Sequence, residues 1–308
     1  MSLKANRKRF TGPPHPDRDR QFRYILKQRR RFLRKRWPVI SVDTKHKELI
    51  GNFKNPGRTW IRKPIEVNAH DFPQDALCQV APYGVYDVGR NHGFIHLGIS
   101  SDTPQFAVDS IRQWWLAYGR KPYGQAKELL ILADAGGSNG YRLRHFKKQL
   151  QEKIADAFHL NVTVCHFPRG ASKWNPVEHR LFGPISCHWA GVPLRSLKLL
   201  LRLIRTTVTD RGLKVCARLT SKTYRTGKAC NSLQAAEKAE GNMATLRRGL
   251  RGKSKESFRK VTPRSVPGKA SQTVLHTEIR RAATPVGHHC AGRQIGPASD
   301  GAGIVGHL

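Results

Sequence analysis

Three carboxylates stand where a chain would present them for chemistry. Asp43 follows the apolar run 37–42 (WPVISV), Asp134 follows the run 128–133 (ELLILA), and Glu178 comes just after Trp174-Asn175-Pro176, at the start of an amphipathic stretch. Carboxylates on separate elements have one common use, which is to hold divalent cations for phosphoryl transfer. Their hard oxygens bridge or flank a pair of ions about 3.5–4 Å apart. One ion activates water or a 3′-hydroxyl, and the other stabilises the leaving oxygen. Each acid also has a plainer reading. Asp43 would serve to begin a turn, and Asp134 precedes a Gly-Gly turn, where aspartate commonly bonds the backbone. With Asn175 as N-cap and Pro176 at N1, Glu178 stands at N3, where glutamate completes a capping box. The other acids differ in placement: Asp87 alternates within a strand, Asp102 belongs to a helix start, and Asp71 lies in a proline-containing loop.

The charge of the chain narrows the substrate. Over 308 residues, 56 lysines and arginines face 21 acids, a formal net charge of +35. Such an excess repels itself unless a polyanion neutralises it. Double-stranded DNA is the expected partner, met along its backbone by Arg29, Arg30, Arg31, Arg34, Lys35 and Arg36, and by Arg169 and Lys173 near the carboxylates. No membrane partner is expected, because no apolar run approaches the roughly 20 residues needed to cross a bilayer. The N-terminus, MSLKANRKRF, lacks the apolar centre of a signal peptide. A cytoplasmic protein, with the nucleoid when bound to DNA, is the expectation. The six cysteines are scattered without a C-x-x-C pair, which suits a reducing compartment. Cys165-His166 and Cys187-His188 match no zinc spacing and read as core cysteines beside incidental histidines. Gly136–Gly140 is no phosphate-binding loop, since no Gly-Lys-Ser/Thr follows.

The elements that must position the acids follow from periodicity. Residues 39–42, 129–132 and 162–165 read as buried strands, and 85–88 with 94–99 as a hairpin around 89–93. Thr103-Pro104 supplies an N-cap and a proline at the first helical position; Ala107, Ile111, Trp114, Trp115 and Tyr118 then share one helical face. The tryptophan pair therefore reads as core. A basic helix carries Leu143, Phe146, Leu150, Ile154 and Phe158, and 176–186 is the helix of Glu178. A helix over 21–37 is expected either to touch nucleic acid or to be merely solvated. The order is strand, strand, strand, helix, strand, helix, strand, helix. That order predicts an α/β fold: a ribonuclease-H-like mixed sheet flanked by helices. The domains expected are a basic arm (1–36), a catalytic domain (37–227) and a low-order basic tail (228–308). The tail lacks apolar period and is expected to be disordered and to add nothing to the catalytic fold.

Four stretches are specific enough to carry a resemblance: 40–60 (ISVDTKHKELIGNFKNPGRTW), 82–100 (PYGVYDVGRNHGFIHLGIS), 129–140 (LLILADAGGSNG) and 165–182 (CHFPRGASKWNPVEHRLF). They closely resemble Rhodopirellula-type insertion-sequence transposases, which carry a DDE catalytic domain, over roughly residues 4–227. The resemblance implies a ribonuclease-H-like core, two divalent ions (magnesium, with manganese as a substitute), and cutting and joining of transposon-end DNA, with oligomerisation on that DNA. The family's two aspartates and glutamate fall on Asp43, Asp134 and Glu178. Members usually carry a helix-turn-helix region ahead of the segment where this sequence begins, so a truncated chain is expected. After about Gly227 the likeness ends in a composition that out-of-frame translation of a GC-rich gene would give, which makes a decayed copy part of the expectation. Two alternatives stay open: a basic nucleic-acid-binding protein without catalysis, and a ribonuclease-H-like nuclease that cuts without joining.

Overall fold

Alternation along the strands assigns each residue to one of two layers. In the computed structural model, which describes residues 16–68, 72–226 and 276–279, strand β1 (Val39–Thr44) sends Ile40 and Val42 to one face of the sheet and Val39 to the other. Strand β5 (Glu128–Ala133) does the same with Leu129 and Ile131 against Leu130 and Leu132. Both strands are covered on both sides, which is why they read as continuous apolar runs.

Between β1 and β5 come β2 (Glu48–Ile50), β3 (Cys78–Asp87) and β4 (His92–Gly98). The last two form the expected hairpin, but β3 runs for 10 residues and β4 for 7, both longer than the apolar alternation alone indicated. Asn91 makes the turn in a left-handed conformation, φ 51°. Then β6 (Asn161–His166), β7 (Lys214–Thr220) and β8 (His276–Ile279) complete an eight-stranded sheet in the order β7-β4-β3-β1-β5-β6-β8, with β2 paired to β3. Strands β1, β3 and β4 are antiparallel neighbours, whereas β5 and β6 run parallel to β1. An antiparallel meander joined through its first strand to a parallel pair is the ribonuclease-H-like arrangement the element order predicted.

One face is covered by α2 (Pro104–Trp114), which Thr103 caps by accepting the Phe106 N–H at 3.2 Å. Trp114 and Trp115 are both buried, as their spacing required. Beside α2 on the same face lies a helical run that spans α3 (Arg144–Leu150), a π-helical turn (Gln151–Ala155) and α4 (Asp156–Phe158), burying Phe146, Leu150 and Ile154. The opposite face takes α1 (Arg18–Arg34), α5 (Gly183–His188) and α6 (Leu197–Arg205). Helix α6 and strand β7 went unforeseen.

Three expectations need correction. Helix α1 is not a solvated charged helix: Ile25 and Phe32 are buried against Val39, Leu130, Leu132 and Phe167, while Arg20, Arg23, Arg30 and Arg34 are exposed. Residues 1–15 lie outside the described residues. The tail is not wholly without a place, since His276–Ile279 pairs antiparallel with β6 and Ile279 is buried in the main core; the rest of 227–308 lies outside the described residues. Cys187 is exposed rather than core, whereas Cys165 is buried as expected. Among the described residues no helix is long and apolar enough to cross a membrane.

Candidate active site

Strand register brings the two aspartates together. Strands β1 and β5 pair in parallel, with Val42 opposite Ala133. The next residue in each case is an aspartate, Asp43 still within β1 and Asp134 just past the end of β5, and adjacent strands lie about 4.7–4.9 Å apart. On its other side Asp43 faces Gly84 of β3.

Glu178 arrives from a helix that two glycines seat against the sheet. It opens the π-helical turn Glu178–Phe182, which continues into α5. A Cβ on Gly84 would stand 2.4 Å from the Phe182 ring, and one on Gly93 would stand 2.3 Å from Leu181. The bare backbone at these positions lets Phe182 and Leu181 lie directly on β3 and β4, so the turn carrying Glu178 comes down beside Asp43. Both glycines are plain in the sequence, but the reason for them is a contact from a distant helix.

Asn175 locks the arrangement. The capping box expected of Asn175 and Glu178 does not form, since the Asn175 side chain bonds Ser41, Val42 and Asp134 instead of its own helix. Asn175 is instead fully buried and turned inward. It accepts from the Ser41 hydroxyl at 2.5 Å and donates to the Val42 carbonyl at 3.3 Å and to Asp134 Oδ1 at 3.0 Å. The Ser41 hydroxyl in turn accepts the Val177 N–H at 2.9 Å. The Asn175 carbonyl accepts the Glu178 N–H at 3.1 Å. One side chain thus ties β1, the end of β5 and the helix of Glu178. Sequence reasoning missed this role, although one sign was present: Ser41 is a hydroxyl in the middle of an apolar strand and needs a buried partner.

The electrostatics are those of crowded carboxylates. Burial, then the neighbouring Asp134 and Glu178, push Asp43 up to about 8, while the Thr44 N–H, donating at 2.8 Å, works the other way. Glu178 therefore stands close enough to Asp43 to add to the rise. Burial also raises Asp134, with Glu178 adding to the rise and the Asn175 amide opposing it. Asp102, set aside on sequence, bonds Thr44 and Ser138 and so stands next to the strand end that bears Asp43. Hard oxygen donors that repel one another suit a divalent cation in their chemistry. Among the described residues, however, no three His, Cys, Asp or Glu side chains are gathered to hold a metal ion.

A cleft of about 510 Å³ opens over this end of the sheet, lined by Asp43, Asp134, Gly136, Gly137, Arg169 and Ser172. Of the basic residues singled out on sequence, only Arg169 lines it. Lys173 and Arg29 line a larger cavity of about 870 Å³ beside it. Arg31 is spent on an ion pair with Glu128 at 2.6 Å. Arg30 and Arg34 line a furrow along α1, Lys35 rests 4.1 Å from the Trp37 ring centre, and Arg36 is exposed at the left-handed end of the helix.

Comparison with known proteins gives the family. No curated protein matches the chain. Among solved structures, the Mos1 transposase paired-end complex with left transposon end aligns at a TM-score of 0.44 and 14% identity, covering 66% of this chain and 57% of that one. The Mos1 mariner paired end complex with Mn aligns at 0.43 and 16%, covering 65% and 57%. The chain thus spans under two thirds of the length of those proteins. The family model described as Rhodopirellula transposase DDE domain matches residues 1–244, past Gly227, where the sequence reading ended the likeness. The chain belongs to the Rhodopirellula transposase DDE-domain family.

Proposed function

We propose that the chain cuts and joins double-stranded DNA at insertion-sequence ends, with Asp43, Asp134 and Glu178 as the ligands of two divalent ions, magnesium or manganese. The observation that carries this reading is the register of β1 on β5, which sets Asp43 beside Asp134 while Asn175 fixes the helix of Glu178 to both strands. When bound, the ions supply activation of the attacking oxygen and stabilisation of the leaving oxygen. The chain's own part is to hold the three carboxylates in place and to give up the proton that burial and its neighbours keep on Asp43. Asn175, by donating to Asp134, keeps that carboxylate aimed at the cleft. Arg169 on the cleft wall and Lys173 beside it are assigned to the phosphates of the bound strand, and the exposed arginines of α1 to the flanking duplex. The same reading places the protein with the nucleoid in the cytoplasm, acting as more than one copy on DNA, with the catalytic domain reaching to about residue 227 and completed at its edge by β8.

The test is a cleavage and strand-transfer assay on duplex DNA carrying the element's ends. Asp43→Asn, Asp134→Asn and Glu178→Gln should each abolish magnesium-dependent cleavage while leaving DNA binding intact. Full cleavage by the Glu178→Gln protein would remove that residue from the chemistry. Cleavage without joining would make the chain a nuclease, and binding without metal-dependent cleavage would make it a DNA-binding protein only.

A further inference from the structure

The cavity beside the carboxylate cleft contains none of the three acids. It holds about 870 Å³, within the range of small-ligand pockets and too small for a duplex. Its aromatic walls include Phe22 of α1 and Trp174, and its cations are Arg18, Arg29, Lys173 and Arg180. Among the described residues Asp19 is the one acid on the lining, so the charge balance favours an anion. Trp174 is 55% exposed, unusual for so large an apolar ring, yet it is held in place. Its ring meets the edge of Phe22 with centroids 5.9 Å apart at 71°, and the Lys173 ammonium lies 5.5 Å from its centre. The next residue is Asn175, anchored to Asp134. The Arg18 guanidinium donates to the Arg169 carbonyl at 3.2 Å, joining the cavity's rim to the loop that lines the cleft.

An aromatic plate ringed by cations is the chemistry that takes an unstacked base with its phosphates. Placed one residue from the anchor of the catalytic carboxylates, it is suited to a nucleotide next to the phosphate under attack. We propose that this cavity binds an unpaired nucleotide of the DNA strand, its base stacked on Trp174 and its phosphates met by Arg29, Lys173 and Arg180. The proposal rests on the DNA reading above, and it adds that the strand is distorted or single-stranded beside the cut.

The experiment compares binding of a blunt duplex with that of the same duplex bearing a three-nucleotide unpaired tail, for the full chain and for Trp174→Ala and Trp174→Phe. The tail should tighten binding by the native chain about five- to 150-fold, the range of base–aromatic stacking. Trp174→Ala should lose that gain and Trp174→Phe keep most of it, with blunt-duplex affinity equal in all three. A 2-aminopurine in the tail should be quenched by the native and Trp174→Phe proteins and not by Trp174→Ala. Equal affinity of the native chain for tailed and blunt DNA overturns the pocket while leaving the DNA reading standing. So does a gain that survives Trp174→Ala. Failure to bind either duplex defeats the DNA reading, and the pocket with it.

Discussion

Asp43 is a carboxyl group that burial and its neighbours keep protonated near neutral pH, and this has a measurable sign. Its value in the fold is raised to about 8, against about 3.9 in an unfolded chain. Between those values the folded state holds a proton the unfolded state has released, so stability falls as pH rises. In divalent-free buffer, Asp43→Asn should therefore melt above the native chain at pH 8, by about 2–4 °C for each kcal/mol of repulsion relieved. The difference should vanish toward pH 4. Divalent ions compete with that proton, so Mg2+ should raise the native melting temperature more at pH 8.5 than at pH 6, and Asp43→Asn should abolish the shift. Identical melts across this range would show that the acids neither repel nor bind. Asn175 acts on the same group of acids through position. Asn175→Ala leaves the Ser41 hydroxyl and the Val42 carbonyl without a partner they now have, costing about 1–3 kcal/mol for each orphaned group. Because it also frees Asp134, cleavage should drop by about 100-fold, the scale of an ångström misplacement. A variant that melts lower and yet cleaves normally would restrict Asn175 to packing.

Helix α1 combines two roles that composition alone confuses. Its buried side, Ile25 and Phe32, completes the core beneath β1 and β5, while its arginines differ in how free their charge is. Arg30, Arg34, Lys35 and Arg36 lie toward solvent, whereas Arg31 neutralises Glu128. Alanine at those four positions should flatten the dependence of log affinity for DNA on log salt by about 0.9 for each phosphate no longer neutralised. Arg31→Ala should change that slope least and the melting temperature most. An unchanged slope in the fourfold variant would leave this side of α1 to solvent.

Across the whole molecule, the formal charge of +35 must be held against its own repulsion by a sheet that reaches into the C-terminal segment. Strand β8 covers the edge of β6 and adds Ile279 to the core, 6% exposed. A charge there would be buried without a partner, so Ile279→Asp, or removal of 228–308, should lower the melting temperature, again about 2–4 °C per kcal/mol. Translating the gene's other two frames tests the origin of this segment independently, since family-like sequence in either would mark a frameshift. An unchanged melt on removal would detach β8 from the fold.

Much was legible from order along the chain. The runs 39–42 and 129–132 are apolar on both faces because both faces are covered. Thr103-Pro104 starts a helix for reasons contained in three residues, and Trp114 and Trp115 follow a period that leads into the core. The identities of Asp43, Asp134 and Glu178 were available for the same reason: the ends of strands and helices are local features. What the chain order could not contain is whatever depends on two distant segments meeting. The capping role of Asn175 was the best local guess, and it failed because Ser41, Val42 and Asp134 offer that amide more bonds than its own helix does. Asp102 looked like a helix start until Thr44 and Ser138 were brought to it. β8 falls in a stretch without pattern and gains its partner, as Gly84 and Gly93 gain their reason, only when the sheet closes. Local periodicity determines which groups can do the chemistry; their proximity, and the raised Asp43 that follows from it, is a property of long-range packing and of the burial that packing creates.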